Sequence, residues 1–160
     1  MKTNHLILIF SFFLFTFTLT LVHAIAQIPP DRDELLKADD AGQAQYADVN
    51  GFPAPKHLLD LAKELQLSDA QKKSLQTIYV GMRSRALELG KRIIGIEEEL
   101  HQAFQEGLVS EKSVRDDTEQ IGKLRGRLRA VYLNANMKAK DVLTNAQIES
   151  YKKLRAAKRK

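Results

Sequence analysis

The sequence predicts an all-α protein, a long antiparallel helical hairpin with short helices at its flanks. Two apolar seams at helical spacing predict the hairpin, one from Leu75 to Ala103 and one from Val114 to Val142, with Gly107 between them. The absence of any cysteine, together with few aromatics and 44% hydrophobic residues, predicts that aliphatic packing alone holds it together. A charge-free leader at the start adds that the chain works outside the cytoplasm.

The leader comes first. Lys2 supplies a short positive region, and Leu6 to Val22 runs seventeen residues without a charge. Ala24-Ile25-Ala26 then presents the small-x-small pattern of a signal peptidase site. Residues 1–26 therefore read as a signal peptide cleaved after Ala26, with Ala24 as second choice. The rival reading is an uncleaved anchor, but seventeen charge-free residues sit at the short edge of a bilayer span, so no stable membrane insertion is expected after cleavage. Export puts nucleic acid out of reach as a partner, and the destination in a two-membrane bacterium is the periplasm.

Residues 27–54 are rich in Pro, Asp, Gly, Ala and Gln and read as a flexible acidic N-terminal arm. Six acids (Asp31, Asp33, Glu34, Asp39, Asp40, Asp48) stand against Arg32 and Lys37, a net charge of −4. Residues 55–160 carry 22 basic and 14 acidic side chains, a net of +8. A basic body behind an acidic arm suits acidic or anionic partners, or an arm that covers its own body when no partner is present. A plainly solvated surface accounts for the charges as well.

The helical body spans 55–160. Pro55 is a favourable first-turn residue, and Leu58, Leu61, Ala62 and Leu65 share one face of a short helix. Leu67-Ser68-Asp69-Ala70-Gln71 marks the next start: Ser68 caps, and Gln71 reaches back to complete a capping box. Leu75, Tyr79, Met82, Ala86, Leu89, Ile93, Ile96, Leu100 and Ala103 then alternate in steps of four and three, a coiled-coil-type seam. Gly107 ends that helix. Ser110 caps the next one, with Val109 and Val114 placed as a staple. Val114, Ile121, Leu124, Leu128, Val131, Ala135 and Val142 repeat the seam, weakened by Asp117 and Lys138. A connection this short forces the two long helices antiparallel. Leu143-Thr144-Asn145-Ala146-Gln147 repeats the earlier pentad, Thr144 and Gln147 forming a second box with Leu143 and Ile148 as staple. A last helix runs through Tyr151 and Leu154 to a basic end that suits the negative helix pole.

Two pentads of the form Leu-Ser/Thr-x-x-Gln, each opening a helix 76 residues from the other, resemble the LTxxQ repeats of the Spy/CpxP family. The resemblance covers roughly Leu58 to Tyr151 and includes the layout of signal peptide, arm, short helix, long hairpin and final helix. It departs at Ser68, where threonine is usual; the cap chemistry survives that change. The resemblance implies an ATP-independent periplasmic chaperone that dimerises through its long helices into a cradle and holds unfolded client proteins. CpxP-like members also damp a membrane sensor kinase, and other relatives sense metals, so a regulatory or metal-sensing role is the alternative it implies.

No catalytic set emerges, and no cofactor is expected. The body has only His57 and His101; Glu97 and His101 share a helix face, but two ligands do not make a metal site. Gly90, Gly95, Gly122 and Gly126 lie inside the long helices, serving curvature or close approach, or simply tolerated at the surface. Lys123, Arg125, Arg127 and Arg129 spread around the second long helix and attract acidic chains at long range, or are only solvated. Val80, Leu87 and Ile94 form a second apolar line about 100° from the main seam, with Arg83 and Lys91 near it. This line is the candidate client or dimer surface, the other reading being that it packs against an end helix. A lone hairpin of about 134 residues leaves its broad faces wet, so a homodimer is expected.

Overall fold

The computed structural model describes residues 28–38 and 42–157. The signal peptide expected over 1–26, Asp39 and Asp40 of the acidic arm, and the last three basic residues lie outside the described residues. Among the described residues six helices follow one another: α1 (Arg32–Lys37), α2 (Gln45–Val49), α3 (Pro55–Asp60), α4 (Asp69–Glu106), α5 (Glu111–Asp141) and α6 (Asn145–Ala157). Among the described residues there is no strand, and no helix is long and apolar enough to cross a membrane.

Local chemistry sets the long helices' ends. The Ser68 hydroxyl accepts from the Gln71 backbone N–H, and the Gln71 side chain accepts from the Ser68 N–H, which satisfies two orphan donors of α4. At the far end Gly107 adopts φ 68°, and the N–H groups of Leu108 and Gly107 close onto the Ala103 and Phe104 carbonyls. That is a Schellman ending, which needs a left-handed residue and is least costly with glycine. Three residues later Ser110 caps α5, its partner being Ser113, whose hydroxyl accepts from the Ser110 N–H at 3.0 Å.

The two long helices pack together along their length. Gln71, at the start of α4, donates to the Val142 carbonyl just past α5, and Glu97 meets Arg125 midway. Ala86, Leu89, Ile93 and Ile96 of α4 are buried with Ile121, Leu124, Leu128 and Tyr132 of α5 in one core. A second core gathers Leu58, Leu61, Leu65, Leu67 and Leu75 around Ala139 and the fully buried Tyr151 of α6. Towards the connection the seam opens: Leu100, Ala103 and Val114 are half-buried, while Phe104 and Leu108 are 56% and 72% exposed.

One expectation is overturned. Where described, the segment read as a loose arm is folded onto the long helices: α1 lies against α4, and α2 reaches α5. Leu35, Ala38 and Ala44 belong to the first core, and Pro29, Pro53 and Pro55 are fully buried. Composition hid this because one leucine, small residues and prolines do the packing. Prolines also lose little conformational entropy when they are fixed. The long helix α5 shows the consequence, since Tyr132 and Asn136, outside its seam, are buried.

Candidate functional site

The two pentads, far apart in sequence, meet in space. Gln71 Nε2 donates to Gln147 Oε1 at 2.8 Å, and Gln147 Nε2 donates back to Gln71 Oε1 at 3.1 Å. Each amide has one further N–H, and each finds a carbonyl: Gln71 reaches Val142 at 2.9 Å and Gln147 reaches Leu65 at 3.2 Å. The oxygens stay engaged with their own caps, Gln71 Oε1 with the Ser68 N–H and Gln147 Oε1 with the Thr144 N–H and hydroxyl. Thr144 Oγ1 in turn accepts from the Gln147 N–H. Every donor of both amides is used, so each glutamine caps its helix and clasps the other. Leu67 is buried beneath this clasp and Leu143 is half-buried against the same core. The clasp is a structural joint in which the two amides satisfy each other and their own caps.

The second apolar line has a partner within the chain, though it is the N-terminal segment and not an end helix of the body. Ile94 is 4% exposed, Leu87 packs on the first core, and only Val80 stands open at 55%. Arg83 and Lys91 are exposed. What covers the line is α1: a Cβ on Gly90 would lie 2.7 Å from the Leu35 carbonyl oxygen. Gly90 is thus the glycine of close approach, and it is the N-terminal segment that approaches. Gly95, Gly122 and Gly126 face open space.

Charge holds the cover in place. Asp31 accepts both guanidinium nitrogens of Arg125, at 2.6 and 3.1 Å, and Glu97 accepts from the same guanidinium at 3.4 Å. The hydrogen bonds from Arg125 hold the Asp31 carboxyl below its ordinary value, and Arg125 is shifted upward in turn. Arg32 donates to Glu98 beside them. These partners are a quarter to a half exposed. Of the four basic residues singled out on α5, Arg125 belongs to this cover, while Lys123 lies near Glu119 at 3.9 Å.

The other end of the segment is pinned by a buried acid that sequence reasoning missed. Asp48 of α2 is 6% exposed and accepts from the Tyr151 hydroxyl and from Arg155 of α6. His57 Nδ1 stands 3.7 Å from the same carboxylate, buried and without a hydrogen-bond partner. Burial pushes the Asp48 carboxyl up, but His57, Tyr151 and the Arg155 charge outweigh it and leave it below the usual carboxylate range. Burial and the neighbouring carboxylate push the Tyr151 phenol far up. No local pattern marks Asp48, because its partners come from the far end of the chain. No three His, Cys, Asp or Glu side chains among the described residues group as a metal site.

No protein-family model matches this chain, and neither a curated protein nor a solved structure matches it.

Proposed function

We propose that the chain is an exported, ATP-independent chaperone that holds unfolded proteins, a helical hairpin that pairs with a second copy through its long helices into a cradle. The observation that carries this reading is an apolar line on α4 beneath an acidic cover. Leu35 seats α1 on Gly90 between Leu87 and Ile94, while half-exposed ion pairs tie its start. Exposed pairs contribute about 0–1 kcal/mol each, and burying one leucine contributes about 1.5–3 kcal/mol. Ala38 and Pro29 are buried beside Leu35, but a six-residue helix with so few buried side chains still opens locally without global unfolding. An unfolded chain with apolar and acidic stretches offers the same chemistry as the cover and displaces it. The pentads support the reading by their resemblance to the Spy/CpxP family, and residues 1–26 would deliver the protein to the periplasm.

The test combines sedimentation with suppression of client aggregation. Val80 is the substitution of choice, because it is exposed and its loss leaves the core intact. The wild-type protein is expected to sediment as a dimer at micromolar concentration and to suppress aggregation without ATP. Val80→Ser is expected to stay folded and need at least twofold more protein for the same suppression. Wild-type protein that leaves aggregation untouched would sink the chaperone reading, and a stable monomer would sink the dimer.

A further inference from the structure

A further cleft shares no residue with the clasp and only Arg83 with the surroundings of the covered line. Its volume is about 190 Å³, and four elements wall it: the end of α1, the start of α3, α4 and α5. That is about six waters' worth of liquid and below the range of drug-sized pockets, so the cleft suits a small molecule. Its chemistry is one-sided. Lys37, Lys56, His57 and Arg83 line it, and no carboxylate does among the described residues. Its apolar surface comes from Met82, Pro55 and the rings of Tyr79 and Tyr132.

The cations are available in different degrees. Lys37 and Lys56 lie 3.7 and 2.6 Å from Asp33 and Asp60, one helical turn away on the exposed surface. Pairs of that kind are weak, and their long stems swing readily to a better anion. Arg83 has no ion pair with any described residue. Its fork matches a carboxylate in two parallel hydrogen bonds. Several like charges around a low-dielectric recess focus a positive potential into it.

We infer that this cleft binds a small organic anion, a carboxylate carried on a flat apolar body, with Arg83 taking the carboxylate and Met82 and the tyrosine rings taking the body. Inorganic phosphate satisfies only the charge, and a neutral ring satisfies only the apolar surface. Lys37 and Lys56 stand at the exposed surface, so an affinity of about 1 mM is expected. Because α1 and α3 share the walls with α4 and α5, the ligand also fastens the N-terminal segment to the long helices and raises the melting temperature.

The experiment titrates benzoate, inorganic phosphate and benzyl alcohol into the protein produced from the full chain, followed by amide NMR shifts and thermal melting. Benzoate is expected to saturate, to move resonances around Tyr79, Arg83 and His57, and to raise the melting temperature. Phosphate and benzyl alcohol are each expected to bind at least fivefold more weakly. Arg83→Gln is expected to weaken benzoate at least fivefold. Arg127→Gln, which removes the same charge from an exposed site away from the cleft, is expected to leave binding within twofold. Equal losses in the two variants would reduce the effect to long-range charge and overturn the site. Benzyl alcohol or phosphate binding as tightly as benzoate would overturn the ligand class. A benzoate titration that never saturates would overturn the cleft altogether.

Discussion

At the scale of single residues, the two glutamines explain why the pentads end as they do. A glutamate in either place would still accept from its cap but has no N–H to donate. Gln71→Glu therefore loses donation to Val142 and Gln147 and aims a carboxylate at the Gln147 oxygen. It is expected to destabilise the protein by about 1–3 kcal/mol, the cost of leaving partly buried polar groups unmatched. The double variant Gln71→Glu/Gln147→Glu brings two carboxylates together and is expected to lose more than the two single losses combined. Chemical denaturation of the four proteins of the cycle measures this. Strict additivity would mean that the amides act only as separate caps. The serine and threonine of the boxes are local devices, by contrast, each contributing about 0.5–2 kcal/mol to its own helix.

At the scale of elements, the decisive contact is α1 on α4 at Gly90. A methyl group there would meet the Leu35 carbonyl at 2.7 Å, while the same group at Gly95 meets nothing. Gly95→Ala is expected to raise stability by about 1 kcal/mol, since alanine is the better helix former. Gly90→Ala gains the same propensity but pushes α1 away. It is expected to speed hydrogen exchange in residues 31–38 at least tenfold while α4 and α5 stay protected. Its suppression of client aggregation should rise as the cover loosens. If exchange in α1 is unchanged, the segment tolerates the methyl group by a small shift, and Gly90 is not its seat.

At the scale of the whole molecule, the N-terminal segment is tied down at both ends by carboxylates held below their ordinary values, Asp31 by Arg125 and Asp48 by its buried network. A depressed carboxylate stabilises the fold fully above its unfolded value of about 3.9, and that contribution is lost as pH falls through the lower folded value. Both ties should thus hold at neutral pH and fail only in acid below about pH 4. Salt separates them. The half-exposed Asp31–Arg125 pair is screened at about 1 M, where the Debye length is about 3 Å, and the buried Asp48 network is screened much less. High salt is therefore expected to raise exchange in α1 and leave α2 and α6 protected, whereas acid loosens all three. Equal loosening of α1 and α2 by salt would contradict the division.

Sequence alone determined whatever is local. Helix class, the starts at Ser68, Ser110 and Thr144 and the stop at Gly107 follow from caps, glycine and periodicity, which act within a few residues. The packing of α4 on α5 follows from two seams and a connection too short for any other course. The tertiary structure decided what depends on meetings across the chain. The glutamine clasp, the burial of Asp48 by Tyr151 and Arg155, and the seating of Leu35 on Gly90 join residues that no spacing rule links. Each is a pair of complementary groups whose partner is invisible until the helices are stacked. The same reason separates Gly90 from Gly95. In the sequence both are helix glycines, and only the neighbour that arrives from the N-terminal segment makes one of them necessary.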